Sequence, residues 1–429
     1  MTKPAYPFGW PAGSKVCGKA PAEYAWNVNF NNGNANYNNR DNNGFVRAVR
    51  GGECQGAVPL RDLHAAWREA RRGKRPSENQ LTFEAHWIDG LFDLQAELEA
   101  GTWRPRPPTS FVAKAPKARE IHAPDFRDRV VHHWLVPPLE RIYEPLFIFD
   151  SFSNRRGKGT HAAVDRLERF VRQVHSGQGG GWYLQLDIHN FFNSIHRPTL
   201  YALLKPRMER HGLPEPMRRA VHALLRHSPL HDGVIERSTA GERALVPPHK
   251  RLANSATGCG IAIGNLSSQF FANVYLHELD LFVKHQLKAE RYIRYVDDFV
   301  LVHHDRDQLA RWQMAIEAFL QDRLRLRLKD EVKLRPLTSG VDFLGYVARP
   351  THRMVRRRVV AHAREKLRAW GKEHVRGRGF RASPDALGAL RATWTSYAGH
   401  FGHAASGRLH ERIHREFPWL RRALLRRRA

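Results

Sequence analysis

The run RYIRYVDDFVLVHHD (residues 291–305) sets two adjacent carboxylates, Asp297 and Asp298, between apolar arms. Apolar residues on both sides of a tight acidic turn predict a β-hairpin with the acids at its tip. A second candidate strand, GWYLQLDI (181–188), is rich in apolar residues and places Asp187 at its end. Leu184, Leu186, Ile188, Val296, Phe299 and Val300 flank these acids, so none of the three lies on a solvated face. Burial and mutual repulsion raise the pKa of such carboxylates unless a cation neutralises them. Magnesium suits the pattern, because it takes a few carboxylate oxygens and keeps water and phosphate oxygens in its remaining positions. Two such ions about 4 Å apart activate an attacking hydroxyl and stabilise the leaving oxygen of an in-line phosphoryl displacement. The competing reading is a polar hairpin turn without chemistry, a place where aspartate is common.

The remainder of the chain narrows the choice. Its 429 residues carry 70 Lys and Arg against 42 Asp and Glu, a formal charge of +28, so a polyanion is the expected partner. Nucleic acid is the first candidate and an anionic membrane surface the rival. No apolar run is long enough to span a bilayer, and the N-terminus lacks a signal-peptide core. Cys17, Cys54 and Cys259 form no paired spacing, which argues against zinc or a disulfide framework and fits a reducing cytoplasm. The histidines, among them His122, His132, His133, His303 and His304, show no ligand spacing with cysteine.

Apolar spacing predicts helices from residue 60 to Gly101, over 126–135, 160–174 and 266–285, a helix pair within 198–228, and another over 306–322. Strands are expected at 119–124, 181–188, both arms of the acidic hairpin, and 341–349. A polar insert with Pro and Gly spans 229–260, and the chain beyond Thr351 is strongly basic and mostly helical. The irregular alternation predicts an α+β fold with a helical C-terminal domain. Residues 26–50, WNVNFNNGNANYNNRDNNGFVRAVR, are asparagine-rich and are not expected to pack a core.

YVDD between apolar arms resembles the active-site hairpin of reverse transcriptases, and LDIHNFFNSI (186–195) resembles their other catalytic motif. REIHAPDFRDRVVHHWL (119–135), SFSNRRGKGTHAA (151–163), Lys333 with FLGY (343–346), and SYAGHFGHA (396–404) resemble further motifs of the family, in family order. The resemblance covers roughly residues 60–410. It implies a right-hand polymerase, with fingers and an antiparallel-sheet palm over 57–348 and a basic helical thumb over 349–429. It also implies that Asp187 and Asp297 bind two magnesium ions, with manganese as a substitute, that the Ile188 carbonyl assists, and that Asp298 supports them. Arg119 is expected to grip the triphosphate of a deoxynucleotide, with Lys114 or Lys117 helping. Phe192 holds the position that rejects a 2′-hydroxyl, and its alternative is a plain core aromatic. Lys333 is expected to protonate pyrophosphate, or else to be a solvated surface lysine. The basic surface would hold the template RNA and cDNA hybrid. Trp182, Trp312, Trp370 and Trp394 are expected in the core rather than stacked on bases.

The middle motif is Ile263-Gly264-Asn265-Leu266-Ser267-Ser268-Gln269, where most of the family has Gln-Gly-x-x-x-Ser-Pro. This form resembles the reverse transcriptases of diversity-generating retroelements, which copy a template RNA with errors opposite adenine to rewrite a variable gene. Gly264 permits close backbone approach to the nucleotide, Gln269 closes this helix-start motif, and Ile263 offers no hydrogen bond where the wider family has glutamine. Selection by shape alone discriminates weakly. Residues 1–56 resemble the translated template repeat of such elements, because asparagine codons begin with two adenines; a flexible leader and an RNA-binding arm are the alternatives. Cellular relatives often act with a basic helical accessory protein. A group II intron-type enzyme is the nearest rival and predicts Gln-Gly and Ser-Pro in the middle motif. A non-catalytic RNA-binding relative predicts loss of a catalytic acid, and all three are present.

Overall fold

The computed structural model describes residues 24–29, 34–39 and 58–425, except 74, 115, 116 and 378. In the asparagine-rich region, β1 (Tyr24–Asn29) pairs antiparallel with β2 (Asn34–Asn39), from Tyr24 opposite Asn39 to Asn29 opposite Asn34. A ladder of this kind uses only backbone groups, which low side-chain propensity does not remove. The remainder of the expected leader lies outside the described residues.

Two sheets frame the molecule's centre. β3 (Thr109–Ala113) and β4 (Arg119–Ala123) form an antiparallel pair, and the short β6 (Ile235–Glu236) from the insert joins β3 in parallel. The second sheet has the order β7-β8-β5-β9, all neighbours antiparallel, with β5 at Trp182–Asp187, β7 at Tyr292–Tyr295, β8 at Asp298–His303 and β9 at Lys333–Pro336.

Alternation along the strands explains why this second sheet is buried on both faces. Leu184, Leu186, Tyr292, Phe299 and Leu301 enter one core with the helices Phe126–Tyr143, Leu266–Leu281 and Arg306–Leu324. Their neighbours Tyr183, Ile293, Val300 and Val302 enter another, against the helix Thr160–Gln178. Successive side chains point to opposite faces, so a run such as FVLV supplies both cores.

Three expectations change in detail. The helix beginning at Phe126 continues through Pro137 and Pro138 to Tyr143, because Leu139 and Tyr143 extend its buried stripe. The helix from Leu266 ends as α-helix at Leu281, followed by a wider π turn over Phe282–Gln286. The segment 341–349 is a hairpin rather than one strand. β10 (Val341–Phe343) turns at Leu344 and Gly345, with φ of 50° and 90°, into β11 (Tyr346–Ala348), which pairs on its far side with β12 (Arg353–Val355). Consecutive positive φ values reverse the chain, and the glycine makes that conformation accessible.

The helices Arg357–His374, Pro384–Gly402, Gly407–Glu416 and Trp419–Leu425 enclose a third core around Trp394, Phe401, Ile413 and Leu420. Arg353 ties this end of the chain to the helix Thr160–Gln178, donating to Asp165 and Glu168 at 2.5 Å each and to the His403 carbonyl at 2.9 Å. The architecture is α+β, with an antiparallel four-stranded sheet at its centre and a helical C-terminal part. Among the described residues no helix is long and apolar enough to cross a membrane.

Candidate active site

The hairpin forms as the sequence predicts. Tyr295 pairs with Asp298, so the loop is Val296–Asp297, and Val296 takes a left-handed φ of 56°. On its other edge β8 pairs with β5 so that Asp298 stands opposite Asp187. Like charges directly across an antiparallel pair repel, so the register gathers the three carboxylates at a cost in stability.

That cost is visible in their ionisation. Burial, then the charge of Asp187, raises the Asp297 carboxyl to about 6. Burial raises Asp298 to about 7, with Asp187 and Asp297 adding to the rise and a hydrogen bond from Gln185 opposing it. Gln185 Nε2 donates to Asp298 Oδ1 and to the Asp342 carbonyl, each at 3.0 Å. Lys329 Nζ donates to Asp187 Oδ2, and the other oxygen, Oδ1, is buried without a hydrogen-bond partner. Lys329 arrives by a backbone splice in which its N–H donates to the Asp187 carbonyl at 2.9 Å and His189 N–H donates to the Arg327 carbonyl at 2.8 Å. Ile188, fully buried, sits between these bonds opposite Leu328.

Among the described residues no three or more His, Cys, Asp or Glu side chains converge as a metal cage. The donor set is thinner: Asp187 with an orphan oxygen, Asp297 carrying its repulsion, and Asp298 held aside by Gln185. Such a set fits magnesium, which needs one or two carboxylates and fills its other positions with water and substrate phosphate.

Around the carboxylates stand cations. Arg119 and Lys329 both favour the ionised form of Asp297. The Lys117 ammonium is lowered in pKa by burial first, then by Lys250, Arg358, Lys329 and Arg119. β4, the insert, the loop that carries Lys329 and the helix Arg357–His374 therefore bring charge to one place. Lys114 is paired instead with Glu242 on the insert at 2.8 Å. Lys333, opposite Gln185 on β9, is half-buried with Glu331 3.9 Å away.

Phe192 is on the short helix Phe191–Ser194, half-buried, its ring edge-on to Phe191 at 5.4 Å. Its carbonyl accepts from Ile261 N–H at 2.9 Å, which fixes the middle motif beside it. The Ile263 carbonyl accepts from His122 N–H at 2.8 Å. Gly264 has φ of 126°, and a Cβ there would lie 3.0 Å from the His122 carbonyl oxygen. The close approach seen at Gly264 is thus to β4, the strand that carries Arg119. Gln269 is exposed on the helix that follows. Of the tryptophans, Trp312 and Trp394 are buried, Trp370 stacks on Trp419 at 4.8 Å, and half-buried Trp182 lies under Arg306.

The sequence reading missed Lys329, Gln185 and Lys250. Gln185 was legible, since two residues before Asp187 on a strand is the same face. Lys329 and Lys250 carried no local signal. Lys250 is exposed on the turn Pro248–Lys250, which is pinned where Asn190 Nδ2 donates to the His249 carbonyl and Leu252 N–H donates to Glu120 Oε2 at 2.7 Å.

Strand order and register bring Asp187, Asp297 and Asp298 together, with cations beside them. Residues 112–348 match the family model described as reverse transcriptase (RNA-dependent DNA polymerase), and the chain belongs to that family. It is 25% identical over 245 residues to the group II intron-encoded protein LtrA of Lactococcus lactis, covering 56% of this chain and 36% of the relative. Protein YkfC of Escherichia coli is 22% identical over 315 residues, covering 65% of this chain and 75% of that protein. The chain therefore spans about a third of LtrA's length and three quarters of YkfC's. Among solved structures, apo telomerase of Candida tropicalis is similar at a TM-score of 0.42 and 10% identity, covering 58% of this chain and 55% of that one.

Proposed function

We propose that the protein is an RNA-directed DNA polymerase that uses two magnesium ions held by Asp187 and Asp297. The observation that carries this reading is the pair of repelling carboxylates, one with a buried unpartnered oxygen, with Arg119 and Lys329 acting on Asp297 and with Lys117, Lys250 and Arg358 grouped with those cations. When bound, the ions would activate the primer hydroxyl and neutralise charge on the leaving pyrophosphate. Arg119 and Lys117 bind the triphosphate; Lys329 and Gln185 hold Asp187 and Asp298 in place. Phe192 packs under the sugar and excludes a 2′-hydroxyl, and Lys333 donates a proton to pyrophosphate. The basic helices of 349–429 act as the thumb on a template RNA and cDNA hybrid, and 57–348 as fingers and palm. Primer extension on an RNA template tests this: Asp297→Asn is expected to abolish synthesis and leave RNA binding nearly intact. Unchanged synthesis would refute the metal assignment.

The finer reading is mutagenic copying of a template-repeat RNA in a diversity-generating retroelement. Its support is the Ile263-Gly264 to Gln269 form of the middle motif and the asparagine-rich N-terminal sequence. The likeness to LtrA favours a second reading, an intron-type enzyme. Sequencing of the cDNA separates the two: errors concentrated opposite adenine support the retroelement, and uniform fidelity with stimulation of intron splicing supports the intron type. A near-copy, in neighbouring DNA, of the segment encoding residues 20–56 would support the template reading of the leader. A basic helical accessory protein, if the element uses one, would raise synthesis when added.

A further inference from the structure

Arg294 lies two residues before the loop that carries Asp297, and its side chain and that of its partner Asp280 are both 0% exposed. A guanidinium has five N–H donors in a fixed fork. Here every one has an acceptor. Nε donates to Asp280 Oδ1 at 2.8 Å, and Nη2 donates to Asp280 Oδ2 at 2.6 Å and to Ser151 Oγ at 3.0 Å. Nη1 donates to Asn273 Oδ1 at 3.3 Å and to the Val296 carbonyl at 2.9 Å.

Four of these bonds reach the helix Leu266–Leu281 and the 150–153 segment. The fifth reaches the loop. The backbone repeats the tie: Arg294 N–H donates to the Asp150 carbonyl, and Phe152 N–H donates to the Arg294 carbonyl, each at 3.0 Å. Val296 is β-branched with φ of 56°, a conformation such residues avoid. Held there, its carbonyl faces Arg294, and the next residue is Asp297.

We propose that Arg294 is a positioning residue: it locks the strained Val296 peptide to the helix Leu266–Leu281 and so aims the Asp297 carboxylate. This rests on the polymerase reading above. A buried ion pair is itself weak evidence for stability, since well-packed apolar residues often replace one without loss. What an apolar pair cannot supply is a donor to the loop carbonyl.

The test uses the full chain, primer extension on an RNA template, and thermal melting with and without Mg²⁺. In Arg294→Lys a compact ammonium replaces the fork and cannot serve Asp280 and Val296 together. We expect kcat to fall about a hundredfold, the loss typical of an ångström-scale misplacement. The KM for template and primer should stay unchanged, the half-saturating Mg²⁺ concentration should rise, and the melting shift that Mg²⁺ gives the wild type should disappear. Leu320→Ala, in a fully buried position on the helix Arg306–Leu324, serves as the control for lost stability alone. If Arg294→Lys retains kcat and the Mg²⁺ melting shift as Leu320→Ala does, the proposal is overturned. Should Arg294→Lys fail to fold, Ser151→Ala decides, since it removes one acceptor: a severalfold loss of kcat supports the clamp and an unchanged kcat overturns it. Wild-type protein without synthesis would refute the polymerase reading, while the Mg²⁺ melting shifts would still report on the clamp.

Discussion

Replacing Asp297 with asparagine should abolish activity and at the same time make the metal-free protein more stable. The Asp297 carboxyl is raised from 3.8 to about 6, first by burial and second by Asp187. The folded state therefore holds a proton that the unfolded chain has already released. Stability from this group is fully present below pH 3.8 and is lost as pH rises through about 6. At 1.36 kcal/mol per pH unit the ionised form is disfavoured by roughly 3 kcal/mol, and water at this incompletely buried residue reduces this to about 1–2 kcal/mol. Asparagine keeps the shape and removes the charge. We expect thermal unfolding in EDTA at pH 7.5 to shift upward by a few degrees in the variant, and the difference to vanish near pH 4. Added Mg²⁺ should stabilise the wild type and leave the variant nearly unchanged. A variant less stable than wild type in EDTA at pH 7.5, or a difference independent of pH, would refute the account of a repelling pair awaiting a cation.

Other consequences are separately measurable. Phe192→Ala should raise ribonucleotide incorporation relative to deoxynucleotide by roughly tenfold or more, read as the ratio of kcat/KM values, because shape is the only filter at that position. Ile263→Gln should lower misincorporation opposite adenine; an unchanged error spectrum in sequenced cDNA removes the side chain from the fidelity argument. Lys250→Ala should raise the KM for deoxynucleotide about tenfold with little change in the KM for template and primer, the scale of one charge-assisted contact. A change in template affinity alone would place Lys250 on the nucleic acid instead. The His161 ring stacks on His403 at 3.6 Å, and its pKa is lowered by burial first, then by His403 and His400. A lowered histidine contributes stability that is present above its ordinary value of 6.5 and is lost as pH falls below it. Hydrogen-exchange protection factors in the helix Pro384–Gly402, taken relative to the intrinsic rate at each pH, should therefore fall between pH 7.5 and 5.5, and unchanged protection would exclude the stack as a proton-sensitive contact.

What the sequence revealed and what it hid follow from where each interaction is encoded. The acidic hairpin was legible because period-2 burial and a turn at the acids are local, and the register that sets Asp187 opposite Asp298 follows once both strands are recognised. Gln185 was readable by the same parity. Lys329 was not: it reaches Asp187 only because Leu328 lies opposite Ile188 across the sheet, a long-range pairing with no periodic trace. Lys250 was hidden for a similar reason, since the short turn that carries it is pinned by single bonds to Asn190 and Glu120, far away in the sequence. The segment 341–349 was misread as one strand because its apolar residues run on through the turn, and Gly345 is the one mark of reversal. Residues that looked chemical in isolation divided on local partners: Lys114 faces Glu242, whereas Lys117 faces other cations.

The charges around the hairpin sort into two kinds that do opposite things. Arg294 and Asp280 are fully buried, mutually neutralised and saturated with hydrogen bonds, so neither has capacity for a ligand. Asp187 and Asp297 are the reverse, repelling each other and leaving an acceptor without a donor. A satisfied network rigidifies what it touches, and an unsatisfied one draws in a ligand of the missing charge. The two meet at a single peptide, where the Val296 carbonyl belongs to the first and the next side chain to the second. Rigidity is therefore greatest immediately beside the group that must bind. A mobile carboxylate would relieve its repulsion by turning to water, and a fixed one relieves it only by taking up a cation or a proton.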